Sequence, residues 1–102
     1  MTTQRSNVII ETFDWRGILV QATYEPKWMG TDYTAHLQIE TIEPARAPLP
    51  ITETGYLSHF VGRDVIEEAG SPTDYALAWL DHASHSRGWA QLESRARQYS
   101  LF

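Results

Sequence analysis

The sequence of 102 residues contains no cysteine, little basic charge and no long apolar run. The absence of cysteine excludes disulfides, thiolate zinc sites and cysteine nucleophiles. One Lys, seven scattered Arg and a formal net charge of −5 disfavour binding to a nucleic-acid duplex, which needs clustered positive charge. Because no apolar stretch has the length of a membrane span or the character of a signal peptide, we expect a cytoplasmic protein.

The first half of the chain carries the pattern of β-strands. Residues 7–13 are rich in β-branched and aromatic side chains, and residues 18–24 alternate between two faces. Between them, Asp and Gly stand at the first and fourth positions of residues 14–17, which is typical of a type I turn. These features predict a β-hairpin. Alternation over residues 35–42 predicts a third strand, and residues 56–61 indicate a short fourth strand.

The second half of the chain carries the pattern of helices. Ser71 and Pro72 provide an N-cap and a proline at the first helical position, and apolar residues then recur at helical spacing as far as Ala83. Gly88 is placed to end this helix, and a second helix is predicted over about residues 89–98.

Strands followed by helices indicate an α+β domain. The expected architecture is an antiparallel sheet of three to four strands, with an N-terminal hairpin plus a third strand, packed against two C-terminal helices. The length fits a single domain over residues 1–102, with residues 1–6 and 98–102 as flexible ends.

Side chains that could carry chemistry are present but do not form a recognisable catalytic or metal-binding pattern. His82 and His85 lie three apart on a predicted helix, yet a metal site needs further ligands. The sequence has no Gly-rich phosphate loop and no nucleophile elbow. We therefore expect no cofactor, no metal and no enzymatic activity. A deep pocket lined by His36, His59 and aromatic residues would instead favour a small-ligand site or an enzyme.

Two tryptophans, Trp15 and Trp28, fall in predicted turns, where a large aromatic ring is costly unless something covers it. One interpretation is that each ring folds back over the sheet edge. The other is that each is an exposed anchor for a protein partner, because Trp is enriched at binding hot spots.

The chain ends in Gln98-Tyr-Ser-Leu-Phe102, an apolar end in an otherwise polar segment. This tail resembles the peptide by which bacterial replication and repair proteins bind the polymerase sliding clamp, of the form Gln-x-Ser/Asp-Leu-Phe. The resemblance implies clamp binding through Gln98, Ser100, Leu101 and Phe102. The alternative is that Leu101 and Phe102 close the core of their own domain. Buried in a cleft, each would contribute about 1.5–3 kcal/mol.

A broader resemblance extends over the segments ETFDWRG at 11–17, AHLQI at 35–39, APLPITETGY at 47–56 and SHF at 58–60. These resemble a family of small uncharacterised proteins carried by plasmids and integrated elements of proteobacteria. The resemblance implies a mobile-element context and no named activity.

Two roles fit a mobile element, and both require a protein partner. The first is binding to the host sliding clamp. The second is inhibition of a host defence complex, as in anti-CRISPR proteins, through an acidic surface in place of nucleic acid. The second role predicts a contiguous acidic patch that contains several of Glu40, Glu43, Glu53, Glu67 and Glu68. An uncovered sheet face or a Trp patch would also favour a homodimer.

Overall fold

The computed structural model describes residues 8–28 and 33–99, of which residues 96–99 are described as backbone only. Within these residues, four strands are followed by three helices. In chain order they are β1 (Ile9–Trp15), β2 (Ile18–Glu25), β3 (Thr34–Glu43), β4 (Tyr56–Gly62), α1 (Arg63–Ala69), α2 (Pro72–Ala83) and α3 (Arg87–Tyr99). The predicted α+β class is confirmed, with a sheet of four strands.

The sheet is an antiparallel meander in the order β1-β2-β3-β4. The predicted hairpin of β1 and β2 is present, but the predicted turn type is wrong. Trp15 pairs with Ile18, and the two residues between them, Arg16 and Gly17, have φ of 52° and 86°. Two positive φ values are required by a type I′ turn, whose twist matches that of the flanking strands.

The start of α2 follows the prediction from Ser71 and Pro72. The Ser71 Oγ accepts a hydrogen bond from the Asp74 backbone N–H at 3.0 Å, and Pro72 is the first residue of the helix. Ser71 therefore satisfies one of the backbone donors that a helix leaves open at its N-terminus.

Two helix boundaries differ from the prediction. A third helix, α1, is present in addition to the two predicted helices. Its seven residues are too few for a helical period to be recognised in the sequence. Gly88 lies in the first turn of α3 and does not end the preceding helix. Ser86 precedes α3 and caps its N-terminus, since its Oγ accepts a hydrogen bond from the Trp89 N–H at 3.1 Å.

The helices pack on one face of the sheet, which we call the covered face. Val20, Ala22, Leu37 and Ile39 are fully buried there. The helices contribute Ile66, Ala76, Leu80 and Trp89 to the same core. Burying a side chain of the size of Leu or Ile stabilises the fold by about 1.5–3 kcal/mol, so this core accounts for the position of the helices.

A polar contact holds α2 in register on the sheet. The Glu11 carboxylate on β1 accepts hydrogen bonds from the Thr73 backbone N–H at 3.0 Å and from the Thr73 Oγ at 2.5 Å. A carboxylate at a helix N-terminus is favoured because the helix dipole is positive there. None of the described helices is long and apolar enough to cross a bilayer.

Candidate functional site

The sheet face opposite the helices is uncovered in the part of the chain that the structure describes. Ile10, Tyr56 and Phe60 are 61%, 45% and 55% exposed on this side. Because side chains alternate along a strand, the pairing register defines the whole surface, which we call the open face. Its strand positions are Ile10, Thr12, Asp14, Leu19, Gln21, Thr23, Glu25, Thr34, His36, Gln38, Glu40, Ile42, Glu43, Tyr56, Ser58, Phe60 and Gly62.

Three aromatic rings meet at one end of the open face. Trp28, His36 and Phe60 come from the segment after β2, from β3 and from β4. The Trp28 and His36 ring centroids are 4.5 Å apart, those of Trp28 and Phe60 are 5.6 Å apart, and those of His36 and Phe60 are 4.9 Å apart. Phe60 stands directly opposite His36 in the strand pairing, which explains why the two rings touch. We call these three residues the ring cluster.

Polar side chains hold the ring cluster and its neighbours in place. The His36 Nε2 lies 2.6 Å from the Ser58 Oγ, a hydrogen bond that fixes the imidazole ring. Farther along the same strands, the Gln38 Nε2 donates to the Tyr56 Oη at 2.8 Å. Both bonds cross between β3 and β4, so the exposed rings of this face are positioned before any partner arrives. Such preorganisation lowers the entropic cost of binding.

The open face is acidic. Its strand positions carry four carboxylates, Asp14, Glu25, Glu40 and Glu43, and no Lys or Arg. The nearby Arg16 points to the helix side instead, where its Nη2 donates to the Ser84 Oγ at 3.1 Å. The open face therefore combines exposed rings with negative charge, a combination suited to a cationic partner.

The two tryptophans singled out from the sequence have different environments. Trp15 folds back over the covered face: it is 3% exposed, packs 5.7 Å from the Trp89 ring and donates its Nε1–H to the Asp81 Oδ1 at 3.1 Å. A buried, hydrogen-bonded Trp15 is unavailable as an anchor for a partner. Trp28 is half-buried and belongs to the ring cluster of the open face.

The five glutamates proposed as an acidic patch lie at two ends of the sheet. Glu40 and Glu43 are near the end of β3, and Glu53 lies in the loop that leads to β4 at the same end. Glu67 and Glu68 are on α1, which follows the opposite end of β4. Seven residues of strand separate these ends by about 20 Å. Glu40 and Glu43 of this set belong to the open face, where Glu43 pairs with Leu19.

The histidines do not converge. His36 lies on the open face and His59 on the covered face, so the pocket lined by both that the sequence left open does not form. The His59 Nε2 lies 3.2 Å from the Tyr75 Oη, and its ring is 4.6 Å from that of Trp79. Burial lowers the pKa of His59, and His36 adds a smaller effect in the same direction. Among the described residues no three His, Cys, Asp or Glu side chains form a group that could hold a metal ion.

The tail proposed to bind a clamp falls largely outside the described residues. Gln98 belongs to the backbone of α3, which ends at Tyr99. Ser100, Leu101 and Phe102 lie outside the described ranges, so whether they dock on their own domain or on a partner stays a prediction.

Sequence reasoning missed the residues that dominate the open face, Tyr56, Ser58 and Phe60. Their spacing of two in the YLSHFV segment was the available signal, because it places all three on one side of a strand. The side on which they would lie depends on the register of β4 with β3, which single-sequence patterns do not give.

These features define the chain as an α+β domain whose sheet has one face buried by helices and one face open. The chain belongs to the KlcB third domain family, whose match extends over residues 10–89. KlcB is a plasmid-associated protein, so the family match agrees with the resemblance to a plasmid protein family that the sequence indicated. The match includes nearly all of the sheet, α1 and α2, and it ends before the clamp-like tail. Comparison with curated proteins and with solved structures gives no match.

Proposed function

We propose that this domain is a non-enzymatic protein-binding module of a plasmid-associated protein, and that it binds a basic surface of a protein partner through the open face. The observation that carries the proposal is the preorganised ring cluster on a sheet face that has four carboxylates and no strand cation. Trp, Tyr and Arg dominate binding hot spots, and an Arg or Lys of the partner can stack on an exposed ring beside a carboxylate.

Charge distinguishes a protein partner from nucleic acid. Exposed rings on a sheet can stack on bases, but such sites also need positive charge that follows the phosphate backbone. Asp14, Glu25 and Glu40 would repel phosphates, and the formal net charge of the chain is −5. A basic protein surface meets both requirements of the open face, because it offers cations to the carboxylates and alkyl stems to the rings.

Charge also argues against a second copy of this chain as the occupant. In a dimer formed through two open faces, the same four carboxylates of each copy would lie in one interface without a cation from the strands. Like charges in an interface cost free energy that the apolar area must first offset. A heterologous, basic partner is therefore favoured over the homodimer.

The plasmid context narrows the class of basic partner. A protein that normally binds nucleic acid has a basic surface, and an acidic module can occupy it. Inhibition of a host defence complex, as by anti-CRISPR proteins, remains the alternative role, exerted through the open face. Its acidic residues would then be Asp14, Glu25, Glu40 and Glu43, of which Glu40 and Glu43 belong to the five glutamates proposed from the sequence.

Site-specific photocrosslinking in the plasmid's host tests the proposal. A benzophenone side chain placed at Tyr56 on the open face should capture one basic protein. The matched control position is Val65 on α1, which is 42% exposed against 45% for Tyr56. The captured protein is then purified and its affinity measured by calorimetry. Phe60→Ala should weaken binding about tenfold or more, whereas Val65→Ala should not.

Two results would overturn the proposal. One is equal crosslinking from both positions, and the other is a partner whose affinity is insensitive to Phe60→Ala. Raising the salt concentration should also weaken the complex, because the carboxylates of the open face are exposed to solvent.

A second candidate is binding of the sliding clamp through the tail. It is supported by the resemblance of Gln98-Tyr-Ser-Leu-Phe102 to the clamp-binding peptide. Calorimetry with purified clamp should give an affinity on the order of micromolar, lost when Leu101 and Phe102 are both changed to Ala. Equal affinity of the wild type and the double variant for the clamp would exclude this candidate. Phe60→Ala is the control, because it should leave clamp affinity unchanged.

A further inference from the structure

A cavity of about 410 Å³ lies on the covered side of the sheet, away from the open face. Its floor is the cross-strand pair of Ile9 on β1 and Tyr24 on β2. One wall is α1, through Ile66, and the other is the turn that leads into α2 at Pro72. The volume falls within the range of small-molecule sites, about 300–1,000 Å³.

The cavity is mostly apolar in its depth. Ile66 is 2% exposed and Pro72 is buried, so both are fixed by the core behind them. Ile9, by contrast, is 41% exposed although it points to the covered side of the sheet. A large aliphatic side chain exposed on the otherwise buried face indicates that no described segment of this domain covers it. An apolar group of a ligand would bury it.

The mouth of the cavity carries polar groups of mixed charge. Lys27, Arg63 and Glu67 line it. The Arg63 Nε donates to the Glu67 Oε2 at 3.1 Å, and the remaining guanidinium N–H groups can serve an anion. The pair thus positions a cation at the edge of an apolar cavity.

The tyrosine in the floor adds a hydroxyl group with an unused hydrogen-bonding capacity. The Tyr24 Oη is buried and makes no hydrogen bond to the described residues. Burial raises the pKa of Tyr24, with the Glu67 carboxylate raising it further and Arg63 opposing, so the phenol keeps its proton at neutral pH. A buried polar group usually has a partner, and a small rearrangement on binding would let a ligand oxygen supply one.

From this arrangement we infer that the cavity binds a small amphipathic organic anion, with its apolar body between Ile9, Ile66 and Pro72 and its anionic group at Arg63 and Lys27. The inference does not depend on the open face. Ile9 and Ile10 are neighbours in sequence but point to opposite sides of β1, and the two sites can therefore be disabled separately.

The test uses two fluorescent probes that differ in one group. The first is 8-anilino-1-naphthalenesulfonate, and the second is N-phenyl-1-naphthylamine, which has the same rings without the sulfonate. The full chain should bind the sulfonate at least about fivefold more tightly, because Arg63 and Lys27 add charge-assisted contacts. Amide chemical-shift mapping with the sulfonate should place the largest changes at Ile9, Ile66 and Gly70.

Substitutions in the wall and at the mouth of the cavity distinguish binding in the cavity from nonspecific binding of the probe. Ile9→Trp should weaken the sulfonate probe at least about tenfold by filling the cavity, whereas Ile10→Trp on the other face should not. Arg63→Gln should weaken it about threefold to tenfold, and Glu67→Gln should tighten it. Arg95→Gln on α3 is the matched control. Opposite changes in affinity for Arg63→Gln and Glu67→Gln cannot arise from a loss of structure common to both variants.

Several outcomes would overturn the inference. They are equal affinity for the two probes, shift changes concentrated on Tyr56 and Phe60, loss of affinity in both mouth variants, or no binding to the full chain at millimolar probe. None of these outcomes would affect the proposed role of the open face, which is tested separately by crosslinking to a protein partner.

Discussion

The two faces of one sheet separate the tasks of this domain. On β3, Leu37 and Ile39 point to the helices and are fully buried, while Gln38 and Glu40 point to the opposite side and stay accessible. The covered face is apolar and closed by three helices, whereas the open face has exposed rings and carboxylates. The same strands therefore carry both stability and a surface for recognition, and alternation at a period of two keeps these roles apart.

The two histidines of the sheet show how strongly a face sets the environment of a side chain. His36 is held on the open face between Trp28 and Phe60, with Ser58 as its hydrogen-bond partner. His59 lies on the covered face under α2, between Tyr75 and Trp79. His36 is thus part of a recognition surface, whereas His59 on the neighbouring strand is part of the packing between the sheet and α2.

Truncation of neighbouring residues on β3 should give the largest contrast between the faces. Leu37→Ala removes a fully buried side chain and leaves a cavity, so we expect the free energy of unfolding to fall by about 2–5 kcal/mol. Gln38→Ala on the open face should cost less than about 1 kcal/mol. Urea denaturation of both variants measures the difference. Similar costs would show that the open face contributes to folding as much as the core does.

The next contrast concerns Glu11 and Thr12, neighbours on β1 that point to opposite faces. Glu11→Ala leaves the Thr73 N–H and hydroxyl without their carboxylate, and we expect a cost of about 1–2 kcal/mol. Thr12→Ala should stay within about 0.5 kcal/mol. Thermal and urea unfolding both report the change. If Glu11→Ala were neutral, the contact between β1 and α2 would be a surface contact without a role in placing the helix.

Elements with strong local signals could be predicted from the sequence. Alternation identified β2 and β3, and Ser71-Pro72 identified the start of α2 through a cap that the structure reproduces. The turn between β1 and β2 was assigned to the wrong type, because Asp14 and Gly17 favour a type I turn when read alone. The positive φ of Arg16 is imposed by strand pairing, which no local pattern contains.

The candidate site could be predicted only in part. Trp28 was recognised as a candidate anchor from its residue type, but its partners in the ring cluster come from β3 and β4 and depend on their register. The inward packing of Trp15 could not be predicted either, because its contacts with Asp81 and Trp89 join residues more than 60 positions apart. Long-range contacts of this kind are decided by packing and not by local sequence.

On β4, a substitution on the open face should weaken binding to the partner more than a substitution on the covered face does. Phe60→Ala removes a ring of the open face and Val61→Ala removes a side chain that packs against the core. We expect each to cost about 1 kcal/mol of stability or less, because neither side chain is fully buried. Only Phe60→Ala should lower affinity for the captured partner. Equal losses of affinity would mean that the partner senses the stability of the domain and not its open face.

The smallest expected effect is the pH dependence that arises from His59. Because burial under α2 holds the pKa of His59 below the value of about 6.5 that it has in the unfolded chain, the unfolded state takes up the proton first as the pH falls. The contribution of His59 to stability is therefore complete above pH 6.5 and is lost as the pH falls through its folded pKa. Urea denaturation of His59→Gln and wild type between pH 5 and 7.5 isolates this contribution, since carboxylates titrate in both proteins. We expect the His59→Gln variant to lose less stability on acidification than the wild type does. A wild-type pH profile in His59→Gln would mean that the covered face does not exclude water from this ring.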